Sequence, residues 1–102
     1  FMAQTGDPTG TGRGGSGKSL VAEFSREPYV RGTVGMARSS NPHSGDSQFF
    51  IMFQPNPALN GQYTVWGRVT SGMAFVDRIA RGEPPRVPDR IIRLRVAADV
   101  KE

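Results

Sequence analysis

Two glutamines set in apolar, strand-like runs are the residues of this chain best suited to chemistry. Gln4 lies in Phe1-Met2-Ala3-Gln4-Thr5-Gly6-Asp7 and Gln48 in Ser47-Gln48-Phe49-Phe50-Ile51. Each run joins bulky apolar side chains to an uncharged amide, so together they could wall a small pocket for an apolar ring and orient a peptide beside it. An amide among apolar neighbours needs partners for its donors and acceptor, which favours a role for Gln4. The chain has no cysteine, which excludes a thiolate nucleophile, a thiolate metal site and a disulfide framework. His43, the single histidine, sits in a polar loop with no second ligand nearby in sequence and reads as a surface residue. No metal and no cofactor are implied.

A second chemistry is written in Gly12-Arg13-Gly14-Gly15-Ser16-Gly17-Lys18-Ser19, which satisfies the nucleotide-binding pattern G-x-x-x-x-G-K-S. That pattern wraps phosphates in backbone amides, with the Lys and a hydroxyl beside them. It needs a buried apolar strand before the loop and a long helix from the Lys onward. Here Thr5 to Thr11 are turn formers, and Glu27-Pro28 stops any helix within about three turns. Asp99 is a poor candidate for the magnesium-binding carboxylate. A P-loop nucleotide binder is therefore the remote alternative.

These segments are positioned by short elements. Phe1 to Gln4 reads as a strand, and Gly6 to Gly17 as a loop of several turns. Leu20 to Phe24 reads as a short strand or helical turn, and Gly32 to Ala37 as a strand with glycines at close backbone approaches. Arg38 to Asp46 is a polar loop; Phe49 to Phe53 is a buried strand. Gln54 to Gly61 carries Pro55, Pro57 and an Asn60-Gly61 turn. Tyr63 to Val69 alternates as a strand, with Trp66 in the core. Ser71 can cap a helix through Met73, Val76, Ile79 and Ala80, ending at Gly82 before Pro84 and Pro85. Arg90, Arg93 and Arg95 alternate with Ile92, Leu94 and Val96 as a last strand, one face in a core. Several strands, one late helix and a final strand suggest an antiparallel barrel with a capping helix. Four or five short strands cannot close an ordinary barrel and would leave open edges.

At 102 residues with a net charge of +4, the chain allows one small globular domain with a marginal core. The charge comes mainly from arginines interleaved with Asp77, Glu83, Asp89 and Asp99, which reads as a solvated surface rather than a nucleic-acid face. No apolar run approaches the roughly 20 residues of a membrane-spanning helix.

Taken in order, Phe-Met-x-Gln-x-Gly-Asp, a Gly-rich loop, Gly-x-x-x-Met-Ala, Ser-Gln-Phe-Phe-Ile, Leu-Asn-Gly-x-Tyr-x-Val-Trp-Gly-x-Val and Gly-Met-x-x-Val-Asp resemble the cyclophilins, peptidyl-prolyl cis-trans isomerases. The resemblance covers essentially all of residues 1–102, as the C-terminal two thirds of a single cyclophilin-like domain. It implies a mainly β fold: an antiparallel eight-stranded barrel with a capping helix, here incomplete because the N-terminal strands are absent from the chain. It further implies that Phe1, Met2, Phe50 and Leu59 line a proline pocket and that Gln4 hydrogen-bonds the peptide backbone, with Gln4 and Phe50 as the catalytic pair. Ala37 would form part of the neighbouring groove, the main chain of Arg38 would pair with extended substrate, and Gln48 would order the polar network. Tyr63 stands where many eukaryotic members have histidine. Ala58 stands where those members often carry the tryptophan associated with cyclosporin binding, which argues against tight binding of that drug. Between Phe49 and Phe50, which alternate, the resemblance selects Phe50 for the pocket. Met2 and Leu59 also fit ordinary packing, and the Arg38 side chain reads as solvated, an anchor for acidic peptides being the other reading.

The implied reaction is rotation about an X-Pro amide, whose barrier is about 18–20 kcal/mol and whose uncatalysed exchange takes tens to hundreds of seconds. Millisecond turnover needs roughly 10⁴ to 10⁵ of acceleration, or about 5–7 kcal/mol. A pocket that holds the ring while a cation donates to the prolyl nitrogen lowers that barrier selectively. In cyclophilins the cation is an arginine in a Phe-His-Arg segment before the Phe-Met, and the chain opens at Phe1. Alone it would then show weak or no isomerase activity; the favoured reading is that the missing segment belongs to the same protein, with ordinary activity expected, and a proline-peptide binding module without catalysis is the competing function. The expected partners are proline-containing peptides and unfolded protein clients, with chaperone-like assistance to folding, and neither nucleic acid nor membrane. A complete domain would be a monomer. Arginine-rich composition and compact loops resemble bacterial members, which occur in cytoplasm and periplasm.

Overall fold

A computed structural model describes residues 1–100. Four short strands form one antiparallel sheet: β1 (Met2–Thr5), β2 (Thr33–Met36), β3 (Phe49–Met52) and β4 (Val65–Arg68), in the order β1-β3-β2-β4. The fold is mainly β, and the sheet is open, with β1 and β4 at its edges.

Register decides which side chains share a face. Met2 pairs with Met52, Gln4 with Phe50, and Gly35 with both Phe50 and Val65. Directly paired residues point the same way and alternate residues follow them, so Met2, Gln4, Gln48, Phe50 and Met52 lie on one face. That face holds the core. Phe50 is 2 % exposed, Met52 0 % and Tyr29 1 %. The Tyr29 ring stacks on Phe50 at 5.6 Å between centroids, and its hydroxyl donates to the Tyr63 carbonyl at 2.8 Å. Desolvation, with Tyr63 nearby, pushes the Tyr29 phenol up to about 12. Burying a ring such as Phe50 stabilises the fold by about 1.5–3 kcal/mol. Gly35 makes this stack fit: a Cβ there would stand 2.6 Å from the Tyr29 hydroxyl and 2.7 Å from the tip of Phe50.

The opposite face carries Phe49, Ile51 and Met36. Trp66, expected in the core, is 49 % exposed there and covered on one side by Phe49 at 5.4 Å. Alternation along β4 gives Val65 to the core face and thereby turns Trp66 away from it.

Three further expectations change. Arg90 to Val96 forms no strand, and Ile92 is 99 % exposed. Alternation segregates two faces but does not create a hydrogen-bonding partner, and no described strand pairs with this segment. The helix shrinks to one turn, α1 (Met73–Val76), preceded by Gly72 in the left-handed region at φ 90° rather than capped by Ser71. It stops because the next amides go elsewhere. Those of Arg78 and Ile79 make tight bonds three residues back, and that of Ala80 donates to the Asp89 carboxylate at 2.7 Å. Leu20 to Phe24 contributes a single bridge, Leu20 to Gly45.

Candidate functional site

Phe50 is the floor of the site. Met2 from β1, Ala37 just after β2, and Leu59, Tyr63 and Val65 pack around the Tyr29–Phe50–Met52 cluster. Tyr63 meets Phe50 edge-on at 5.9 Å. Leu59 ends a short 3₁₀ turn, Pro57–Leu59, that the Asn56 side chain caps by accepting from the Ala58 amide at 3.3 Å. Asn60 ties this turn to the core by accepting from the Tyr29 amide at 2.7 Å. Gly61, at φ 71°, then reverses the chain toward Tyr63. Because Phe50 itself has almost no accessible surface, the apolar surface a small ring could touch belongs to the half-buried Met2, Leu59 and Tyr63. Phe1 is 53 % exposed and outside this group; its carbonyl accepts from the Phe53 amide.

The two glutamines meet at the edge of this cluster. Gln4 Nε2 donates to Gln48 Oε1 at 2.8 Å, and Gln48 Nε2 donates to the carbonyls of Gly12 and Gly14 at 3.0 and 2.8 Å. Both N–H groups of Gln48 are thus committed. Gln4 is exposed and keeps its carbonyl oxygen and one N–H for a ligand, one acceptor and one donor. Ala37 donates its amide to the Gln48 carbonyl at 3.0 Å, which sets the groove beside Gln48. A depression of about 580 Å³ runs between Gln4, Gln48, Ala37, Arg38 and the Gly-rich loop. A larger one, about 740 Å³, lies under Leu20 and Val21 against Met36 and Trp66. It contains neither glutamine, and neither depression is lined by Met2, Leu59 or Tyr63, so the smaller one is the groove beside the glutamines and the apolar surface lies outside both.

The Gly-rich loop is built around two carboxylates. Asp7 accepts from the amides of Thr9, Thr11, Gly12 and Gly14 at 2.7–3.1 Å and from the Thr9 hydroxyl. Asp46 accepts from the Ser16 amide and hydroxyl and from the Gly17 amide. Desolvation raises the affinity of Asp7 for a proton, but the donations from Gly14, Thr9 and Gly12 outweigh it and hold the group well below the usual carboxylate range. The Ser16 hydroxyl and amide lower Asp46 in the same way. Gly14 and Gly15 lie so close to these carboxylates that a side chain would collide with them. Four amides of the segment, those of Gly12, Gly14, Ser16 and Gly17, therefore already face anions, and no helix follows Lys18. This overturns the nucleotide-binding reading of Gly12 to Ser19.

Arg38, read as solvated, is half-buried and pinned. Its Nε and Nη2 donate to the Gln62 carbonyl at 3.0 and 2.8 Å, and Nη1 to the carbonyls of Ser39 and Ser40 at 2.9 and 3.4 Å. The guanidinium lies 4.5 Å from the Tyr63 ring centroid. His43 accepts from the Ala22 amide, and the described residues hold no cluster suited to a metal ion. Sequence reasoning missed Asp7, Asp46 and Tyr29 as members of this architecture. Asp7, two residues before Thr9 at the mouth of a glycine-rich loop, carries the mark of an Asx turn; Tyr29, alone after Pro28, carries no such mark.

The profile of the cyclophilin type peptidyl-prolyl cis-trans isomerase/CLD family matches residues 1–96. This chain belongs to the cyclophilin family. It is 52 % identical over 118 aligned residues to a probable peptidyl-prolyl cis-trans isomerase of Brucella abortus, across 99 % of this chain and 60 % of that protein. It is 42 % identical to peptidyl-prolyl cis-trans isomerase-like 1 of Aspergillus oryzae, across 100 % of this chain and 69 % of that protein. Among solved structures, a Cryptosporidium parvum cyclophilin crystallised in the presence of the dipeptide Ala-Pro matches with a TM-score of 0.69 at 38 % identity, over 76 % of this chain and 52 % of that one. A Hirschia baltica cyclophilin matches with a TM-score of 0.70 at 35 % identity, over 72 % and 28 %. The chain thus spans about 60 % of the length of the Brucella cyclophilin it matches.

Proposed function

We propose that this chain binds proline-containing peptides on the surface formed by Met2, Leu59 and Tyr63 over Phe50, and that it serves a peptidyl-prolyl cis-trans isomerase domain. The observation that carries this reading is the packing of those three half-buried side chains against the Tyr29–Phe50–Met52 cluster, Tyr63 meeting Phe50 edge-on, with the Gln4–Gln48 pair at its rim. Apolar contact holds a pyrrolidine ring without requiring either amide isomer. Gln4, with one donor and one acceptor left, holds the flanking peptide backbone while the far side of the X-Pro bond turns.

Gripping one side of the bond and leaving the other to rotate favours the twisted transition state over both planar ground states. A donor to the prolyl nitrogen would complete the electrostatic part. The site as described needs no covalent intermediate. Family membership and the Ala-Pro crystallised with the Cryptosporidium cyclophilin support this reading.

The test is cis-trans exchange of an Ala-Pro peptide followed by NMR, with Met2→Ala and Leu59→Ala as variants. Both residues are half-buried at the rim, so they separate ligand contact from the core role of Phe50. Catalysed exchange, or at least ligand-induced shifts at Tyr63, that weakens in both variants is the expected result. No response of the site to any proline peptide rejects the proposal.

A further inference from the structure

Arg38 is the one feature of this site that neither pocket nor amide pair uses. Of the five guanidinium N–H groups, four reach carbonyl oxygens of Gln62, Ser39 and Ser40, leaving one on Nη2. Every acceptor is neutral. Among the described residues the one ion pair is Arg31 with Asp77. The carboxylate lining the same depression, Asp46, is committed to Ser16 and Gly17. Arg13 lines that depression as well, so the lining carries two guanidiniums against one carboxylate, and that carboxylate forms no ion pair with Arg38. The positive charge is therefore fixed in place and without an ion-pair partner among the described residues, on the Tyr63 ring that meets Phe50 edge-on. A fixed guanidinium over an aromatic face loses little freedom on meeting a carboxylate.

We propose that Arg38 is a specificity residue of this site, favouring proline peptides that carry a carboxylate side chain within one or two residues of the proline. The inference rests on the proline-peptide reading above and adds the charge of the sequence around the proline. Arg38 acts on the flanking residue, not on the rotating bond, so its effect falls on affinity.

The experiment compares Kd for short Ala-Pro peptides bearing Glu, Gln or Lys at each of the two positions on either side of the proline, by NMR titration of the chain at low and high salt. At one flank the Glu peptide binds about two- to fivefold tighter than the Gln peptide at low salt, as for a partly exposed ion pair. The Lys peptide binds more weakly than the Gln peptide, and these differences shrink at high salt. In Arg38→Gln the Glu-to-Gln ratio falls to about one, and Arg38→Lys keeps part of it. Glu, Gln and Lys peptides of equal affinity at every position would overturn the inference while leaving the proline site standing, as would a ratio unchanged in Arg38→Gln. Binding by none of the peptides would remove the site and this inference with it. Arg13→Gln, at the other arginine of the depression, should leave the Glu-to-Gln ratio in place, and a ratio that falls there and not in Arg38→Gln would also overturn the inference.

Discussion

Gln4 and Gln48, 44 residues apart, are joined by a single 2.8 Å hydrogen bond in which Gln4 is the donor. Because both N–H groups of Gln48 are held by loop carbonyls, the direction of that bond is settled: only the Gln48 oxygen is left to accept. The orientation of the exposed Gln4 amide is thus inherited from the Gly-rich loop.

Gln48→Ala should therefore weaken peptide handling at Gln4 without touching the pocket. Loss of one net hydrogen bond, about 1 kcal/mol, predicts roughly a fivefold loss in affinity or exchange rate. The check is the same NMR exchange assay; an effect as large in Gln48→Ala as in Met2→Ala would mean that Gln48 supports the pocket itself.

Gly35→Ala should destabilise the fold. The added methyl enters the space shared by Tyr29 and Phe50, and overpacking of this kind costs about 1–3 kcal/mol. A lower urea midpoint with an unchanged slope is the expected outcome; an unaltered midpoint would show that the Tyr29 ring shifts freely.

The loop should open in acid. Asp7 and Asp46 both have folded values below that of an unfolded aspartate, near 3.9. Their contribution is therefore complete above about pH 4 and is lost as the pH falls through the folded values. The Gln48 side-chain amide signals report the opening, and Asp7→Asn should remove most of their acid dependence. A urea midpoint that stays level between about pH 5 and pH 2, where the unfolded aspartates take up protons and the folded ones do not, would show that these carboxylates do not hold the loop.

Phe50→Ala should cost more in stability than in recognition. The ring is 2 % exposed and its truncation predicts a loss of about 3–5 kcal/mol. Thermal unfolding measures it, and a loss below 1 kcal/mol would place Phe50 outside the core.

What the sequence showed depends on how local each signal is. β3 is legible because Phe49 to Phe53 is an unbroken apolar run, and β4 because Tyr63 to Val69 alternates. The side on which Phe50 falls was not legible from alternation, which says only that Phe49 and Phe50 part company; register with Gln4 and Gly35 decides it. Ile92 to Val96 alternates as a strand would, though Arg90 and Ile91 break the pattern, and pairing is a property of two segments whose partner is not encoded in either one's letters. The short α1 turned on Asp89, nine residues beyond the Ala80 amide that it captures, which no helical periodicity registers. Glycine spacing suggested a phosphate loop because spacing describes where amides stand and not what they already hold.

Trp66 is the single tryptophan of the chain, and it leans on Phe49, the immediate neighbour of the site's floor but turned to the other side of the sheet. Its fluorescence is thus a reporter facing away from the candidate site. Emission will respond to anything that settles over the Phe49 face and stay nearly silent when a peptide enters beside Tyr63, so an optical titration that shows no change is no sign of an empty pocket.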